Sequence, residues 1–242
     1  MSGMRLRDFD LLSFDCYGTL IDWESGLLAA LAPLMGRAGM AVEQALADFA
    51  REESAQEAET PTLIYSQILA RVHARLARAW NVTSAAAEDS TFGAAIPDWP
   101  AFADSAAALA VLKRRFKLVI LSNGDRASFA GSNRRLGGMF DSVLTAEEIG
   151  SYKPDPRNFQ FLLDRCAAMG VGREKVLHVA QSLYHDHGPA NDAGIASCWI
   201  DRRAGRPGGA TKMPDPMPRF AWRFDSLAAL AAAVQAEAGG AA

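Results

Sequence analysis

Leu11-Leu12-Ser13-Phe14-Asp15-Cys16-Tyr17-Gly18-Thr19-Leu20 runs an apolar segment into a carboxylate and then a glycine turn. Residues 10–14 read as a short buried strand. In an open α/β sheet, reactive groups sit at the carboxyl ends of strands, where loops line a crevice. Asp15 stands at such an end, and a carboxylate there can act as a nucleophile and form a covalent intermediate. An Asp after a strand also begins turns and caps helices. Asp15 is therefore a nucleophile only if the rest of the chain supplies its partners.

Downstream, residues 24–95 are rich in Ala, Leu, Glu and Arg, which favour helix. Tyr65, Ile68, Leu69, Val72, Leu76 and Trp80 recur at three- and four-residue steps, and Pro61 after Thr60 fits a helix start. The region predicts three or four helices and no strand. Ile96-Pro97-Asp98-Trp99-Pro100 breaks that pattern. From there helices and strands alternate. Asp104 or Ser105 caps a helix through Arg115, and strands are expected at 116–121, 142–145, 176–180, 196–200 and 220–224. Helices are expected at 126–136, from Pro156 to Ala168, at 189–193 and at 226–237, with a Gly- and Pro-rich loop from Arg203 to Pro218. Alternation of this kind implies a parallel sheet covered on both faces. The expected architecture is an α/β, doubly wound, Rossmann-like parallel sheet with an inserted all-helical cap. Residues 1–21 and 101–242 form the core, and residues 22–100 form the cap.

The 242 residues suit one large domain carrying an insertion. Net charge is −3 with basic residues dispersed, which gives no stripe for nucleic acid. The three cysteines, Cys16, Cys166 and Cys198, lie far apart in no metal-binding spacing and read as reduced thiols of a cytoplasmic protein. No apolar leader is apparent near Arg5, Arg7 and Asp8, and no run predicts a membrane span.

Four strand ends or following loops carry polar groups: Asp15, Ser122 with Asn123, Lys153, and Gln181 to Asp186. Parallel strands place these ends on one side of a sheet. Asp15–Leu20, Leu121-Ser122-Asn123-Gly124, Tyr152-Lys153-Pro154-Asp155 and the late Asp186 together resemble the haloacid dehalogenase superfamily. Within it the chain is most similar to the type II L-2-haloacid dehalogenases. The resemblance implies that Asp15 displaces halide from a short 2-haloacid, forming an ester that water hydrolyses to a 2-hydroxyacid. Lys153 would keep Asp15 ionised, and Asp186 would orient Lys153 and help activate water. Ser122 and the backbone N–H groups of Cys16 and Tyr17 would hold the substrate carboxylate. Thr19 would hydrogen-bond to Asp15, Asn123 would line the halide side, and Arg51 would be the cap arginine gripping halide, with Arg37 and Arg71 as substitutes.

Phosphatases of the superfamily carry an acid where this chain has Tyr17, and a metal-binding acid where it has Gln181. A neutral amide is a poor ligand for a hard cation, so no metal and no cofactor is expected. The implied partners are a 2-haloacid and water, with no nucleic acid and no membrane, and the resemblance allows a homodimer. A Mg²⁺-dependent small-molecule phosphatase and a non-catalytic binding protein are the alternatives. Type II dehalogenases have Ser and Asn where this chain has Gln181 and Leu183, and Tyr where it has Phe159. Tyr184 or His185 is expected to supply the missing polar contacts. His178 is expected to be a packed core histidine, while Trp23 and Trp99 are expected to pack the cap junctions. His73 is left facing either way.

Overall fold

Leu11 and Leu12 face opposite sides of one strand, and this period of two builds two cores. The computed structural model describes residues 4–204 and 214–239. β1 (Leu11–Phe14) leads into four helices: α1 (Trp23–Ala38), α2 (Val42–Glu59), α3 (Tyr65–Ala79) and α4 (Ala86–Gly93). The chain then runs α5 (Ser105–Leu112), β2 (Lys117–Ser122), α6 (Arg126–Arg135), β3 (Ser142–Thr145), α7 (Ala146–Ile149) and α8 (Pro156–Ala168). It ends with β4 (Val176–Ala180), α9 (Gly188–Asp192), β5 (Ala196–Ile200), β6 (Trp222–Phe224) and α10 (Leu227–Gly239).

The six strands form one sheet in the order β3-β2-β1-β4-β5-β6, and every pairing is parallel. This is the doubly wound α/β core expected from the alternation. Leu11, Val119 and Leu121 pack with Phe159, Leu162 and Cys166 of α8 on one face. Leu12, Phe14, Leu118 and Ile120 turn to the other face, towards Leu109 and Leu112 of α5 and Leu227 and Leu230 of α10. β1 lies at the centre, with chain order running one way through β2 and β3 and the other way through β4, β5 and β6. The crevice of such a sheet opens beyond the carboxyl ends at this switch point, so Asp15 sits at its mouth.

The helical block has no sheet against which to bury its apolar faces, and packs on itself. Ile68, Leu69, Val72 and Leu76 of α3 are fully buried. Each stabilises the fold by roughly 1.5–3 kcal/mol of side-chain burial before the entropy of ordering is counted. α3 begins at Tyr65 and not at Pro61, because Leu63 N–H bonds back to the Thr60 carbonyl and closes a separate turn. His73 faces inward, against Asp89 at 2.6 Å. The block joins the sheet through two neighbouring crossings. Ile21 bridges Ala101 in antiparallel fashion, and Asp22 N–H donates to the Pro100 carbonyl at 2.8 Å.

Most predicted strands lie within a residue or two of those observed. α5 stops three residues short of Arg115, where Arg115 N–H turns back to the Leu112 carbonyl. Elements not predicted include α7, a wide turn of π type over Leu183–His187, and short 3₁₀ turns at Leu6–Asp8, Ile96–Asp98 and Arg173–Lys175. Residues 205–213 of the expected Arg203–Pro218 loop lie outside the described residues. Among the described residues, no single helix is long and apolar enough to cross a membrane.

α6 approaches the crossing at Gly131, where an added Cβ would stand 2.5 Å from Cα, Cβ and O of Pro97. Gly131→Ala should destabilise the protein by about 1–3 kcal/mol, since backbone in a short turn cannot yield. Gly36→Ala, on α1 with nothing within 4 Å, should instead stabilise by about 0.5–1 kcal/mol. Urea denaturation of the two variants distinguishes close approach from a general effect of replacing helical glycine.

Candidate active site

β1 ends at Phe14, but its ladder continues one residue further: Asp15 N–H donates to the Val179 carbonyl at 3.1 Å. The chain then turns tightly, with Leu20 and Ile21 N–H both returning to the Cys16 carbonyl. Gly18 makes the turn feasible. Its φ is +93°, and a Cβ there would press on the Trp23 indole at 3.1 Å. Thr19 is thereby brought back over Asp15. Its Oγ1 donates to Asp15 Oδ2 at 2.6 Å and accepts the Gln181 N–H at 2.9 Å. Arg202, just beyond β5, donates to the Thr19 carbonyl through Nε at 3.0 Å and Nη2 at 2.8 Å, and pairs with Asp104 through Nη1.

Lys153 is the centre of the site. Its Nζ donates to Asp15 Oδ1 at 2.9 Å, Asp186 Oδ1 at 2.6 Å and the Leu121 carbonyl at 3.0 Å. An ammonium group has three protons, and all three are used. Asn123 fixes the backbone beneath it, accepting Lys153 N–H at 2.6 Å and donating to the Lys153 carbonyl at 3.1 Å. Asp186 Oδ1 also bonds to His178 Nε2 at 2.9 Å, while Asp186 Oδ2 is buried without a partner. His178 Nδ1 meets Ser13 Oγ at 2.8 Å, and Phe159 packs edge-on against the His178 ring. His178 is thus buried as expected, yet it is also part of the site's polar network.

Burial pushes the Asp15 carboxyl up, assisted by the Asp186 charge and opposed by Lys153 and Thr19. Asp186 is equally buried, but Lys153 and His178 outweigh burial and hold it well below the usual carboxylate range. For Lys153, burial works against the charge, and the two carboxylates override it and push it up to about 12. The pair of acids is therefore split in direction: Asp186 is moved down and Asp15 up.

Asp15, Tyr17, Asn123, Lys153 and Asp186 all line one cavity between sheet and helices. Other expected site residues stand elsewhere. Cys16 and Thr19 are buried behind the cavity wall, and burial with the Asp15 charge pushes the Cys16 thiol well up. Ser122 is buried too, its Oγ accepting the Gly124 N–H at 3.1 Å. Arg51 is not in the cavity. It is mostly exposed and pairs with Asp48 at 2.7 Å and with Glu52. The reason is helical phase: two residues along α2 turn the side chain by about 200°, so Glu53 faces the cavity and Arg51 faces away. Arg37 is paired with Glu88, and Arg71 is exposed.

The cap instead supplies Glu53, Glu57 and Tyr65. Tyr65 donates its hydroxyl to Glu53 Oε1. Burial pushes Glu53 up to about 7 and, with the Glu53 charge, pushes Glu57 well above its ordinary value. Trp23 and Trp99, expected to pack the junctions, also line the cavity. Their position beside the two crossings was the one signal that could have found them. His185 lines the cavity, its ring held by Ser182 Oγ at 3.1 Å, whereas Tyr184 lies against that ring outside the lining. His187 is structural: it is buried between Ser197 Oγ and the Ala180 carbonyl, and burial lowers it to about 4.

The donor set does not fit a divalent cation. Asp15 and Asp186 already share the Lys153 ammonium, the further position holds the Gln181 amide, and the described residues contain no group of three or more His, Cys, Asp or Glu side chains placed to hold a metal. What the arrangement offers is an ionisable carboxylate with a fixed cation and a fixed anion behind it.

A family model described as haloacid dehalogenase-like hydrolase matches residues 9–194. (S)-2-haloacid dehalogenase 4A of Burkholderia cepacia is 28% identical over 202 residues, covering 80% of this chain and 84% of that protein. Phosphoserine phosphatase of Thermus thermophilus is 34% identical over 109 residues, covering 43% of this chain and 42% of that protein. The structure of L-2-haloacid dehalogenase from Xanthobacter autotrophicus matches with a TM-score of 0.77 at 18% identity, over 94% of this chain and 98% of that one.

The split between the two acids has opposite consequences for stability. Asp186 has a depressed folded pKa, so its contribution is present above the unfolded value near 3.8 and is lost as pH falls through the folded one. Asp186→Asn should cost about 3–5 kcal/mol at pH 7 by leaving Lys153 under-paired. The Asp15 pKa is raised, so its ionisation opposes folding above that pKa. Asp15→Asn should be neutral or stabilising at pH 7. Chemical denaturation of both variants checks the signs.

Proposed function

The chain belongs to the haloacid dehalogenase-like hydrolases, and we propose that it cleaves a carbon–halogen bond in a small substrate through an ester on Asp15. The observation that carries this reading is the Asp15–Lys153 pair, at 2.9 Å, at the mouth of the sheet's switch point. The names of relatives such as (S)-2-haloacid dehalogenase 4A support carbon–halogen chemistry and make short 2-haloacids the first substrates to try.

In the first step an Asp15 carboxylate oxygen forms a bond to the halogen-bearing carbon as the carbon–halogen pair leaves with halide. Attack is in line, so the carbon inverts. Lys153 keeps Asp15 in position and offsets its charge, while Thr19 holds the second oxygen. A halide needs no proton on leaving, which accords with Tyr17 standing where a phosphatase carries an acid. In the second step water adds to the Asp15 carbonyl carbon. The bond from that carbon to the ester oxygen breaks, and the product departs as a 2-hydroxyacid. His185 and Asp186, both in the cavity lining, are the residues for taking the water's proton. Asp186 fixes Lys153 through its Oδ1 at 2.6 Å.

This route gives the product an oxygen from Asp15 and gives Asp15 an oxygen from water. With enzyme in excess, one turnover of 2-chloropropionate in heavy-oxygen water should label the peptide carrying Asp15 and leave the 2-hydroxyacid unlabelled. Asp15→Asn should reduce halide release to background. Label appearing directly in the product would replace the ester with direct attack by water, and Mg²⁺-dependent turnover of an aryl phosphate would favour the phosphatase reading. The pH profile of kcat/KM follows from the site. It should fall on the acid side through an apparent pKa above the ordinary Asp value of 3.8. No alkaline fall belonging to Lys153 is expected until near 12.

A further inference from the structure

Among the described residues that line the cavity, Lys153 is the only Lys or Arg, and its protons are fully committed. Four carboxyl groups face the same space: Asp15 and Asp186 from the sheet, and Glu53 and Glu57 from α2. Glu53 and Glu57 lie one helical turn apart and so present on one face. The charged group beside Glu57 is Glu53, which opposes its ionisation. Asp186, also a residue of the lining, has its Oδ2 buried without a hydrogen-bond partner. Buried acids without donors are costly. An anionic group entering here would meet no Lys or Arg on the cap side, whereas a cation would favour ionisation of the acids there.

On the cap side the acids stand among aromatic rings: Tyr17 and Trp99 meet edge to face with ring centres 5.6 Å apart, beside Trp23 and Tyr65, while Asn123, Gly124, Gln181, Ser182 and His185 line the sheet side. Carboxylates set among aromatic rings suit an organic cation, which the ring faces attract and the acids pair. They suit a metal ion less, in keeping with the donor geometry above.

We infer that the cap side of this cavity binds a protonated amine, so that the substrate carries an ammonium group beyond the carbon that Asp15 attacks. This rests on the reading of Asp15 as nucleophile, and it narrows the substrate to short halogenated amines or amino acids. Glu53 and Glu57 take the place expected of a cap arginine and reverse the charge it would select. The entering cation also lowers the electrostatic cost of an ionised Asp15, so binding and activation of the nucleophile reinforce each other.

The test reads binding apart from turnover. Trp23 and Trp99 line the cavity, so their fluorescence reports on occupancy. The wild-type protein is titrated with propylammonium, with neutral propionamide and with propionate, which are of similar size. Propylammonium should bind about tenfold or more tightly than either of the others, the equivalent of roughly 1.4 kcal/mol. The double variant Glu53→Gln/Glu57→Gln should lose that preference, and Glu57→Gln alone, on the half-exposed position, should lose part of it if the double variant does not fold. Propionate binding better than propylammonium, no binding of propylammonium, or a preference unchanged in the Gln variants would each overturn the inference. Halide release from 3-amino-2-chloropropionate and from 2-chloropropionate is measured in parallel. Release from neither, with propylammonium still bound selectively, would count against the carbon–halogen reading while leaving the cation site standing.

Discussion

One ammonium group holds the carboxyl end of the sheet together. Lys153 Nζ reaches the residue after β1, the last-but-one residue of β2 and the turn after β4. These segments are distant in sequence and converge only because all the strands run the same way. A buried lysine is costly without partners, and here each of its protons has one. The same arrangement leaves the site with one more carboxylate than cation. Burial cannot then favour both acids equally. Each acid has two side-chain partners, Lys153 and Thr19 for Asp15, Lys153 and His178 for Asp186, yet burial still pushes the Asp15 carboxyl up.

A further layer supports this centre from behind. Ser13 and His178 are direct neighbours in the parallel register of β1 and β4, and the Ser13–His178–Asp186 chain crosses from one strand to the other. Phe159 leans on His178 from α8, with no hydroxyl of its own, so it shapes the histidine by packing. On the far side Arg202 holds the Thr19 carbonyl and thereby the hydroxyl that touches Asp15. Asp15 is held by Thr19 and Lys153, which are backed in turn by side chains from β1, β4 and the end of β5.

The sheet side of this arrangement was legible in the sequence, and the cap side was not. Short apolar runs ending in Asp15, in Ser122-Asn123 and in Gln181 announce strand ends, and parallel order gathers them without any knowledge of side-chain direction. Placing a residue on a helix face requires its phase. Arg51 and Glu53 are two positions apart on α2, and only the packing of Ala45, Leu46 and Phe49 decides which of them turns inward. Tyr65 was legible as part of an apolar stripe, but not as a hydroxyl donor at the rim. His178 was hidden in a strand whose alternation says only that it is buried. Its partners come from β1 and from the π-type turn, an element with no distinct local signal. Ser122 has the right strand end, but its side chain is spent on closing the turn to Gly124.

The paired crossings at Ile21 and Ala101 divide labour along the chain. Every group that holds or orients Asp15 comes before them or after them, while Trp23, Glu53, Glu57, Tyr65 and Trp99 all come from the intervening segment. The cap-side lining is thus written in one uninterrupted stretch of gene and the cluster around Lys153 in the rest. Variation confined to that stretch can reshape one wall of the cavity without disturbing the charge balance around Lys153.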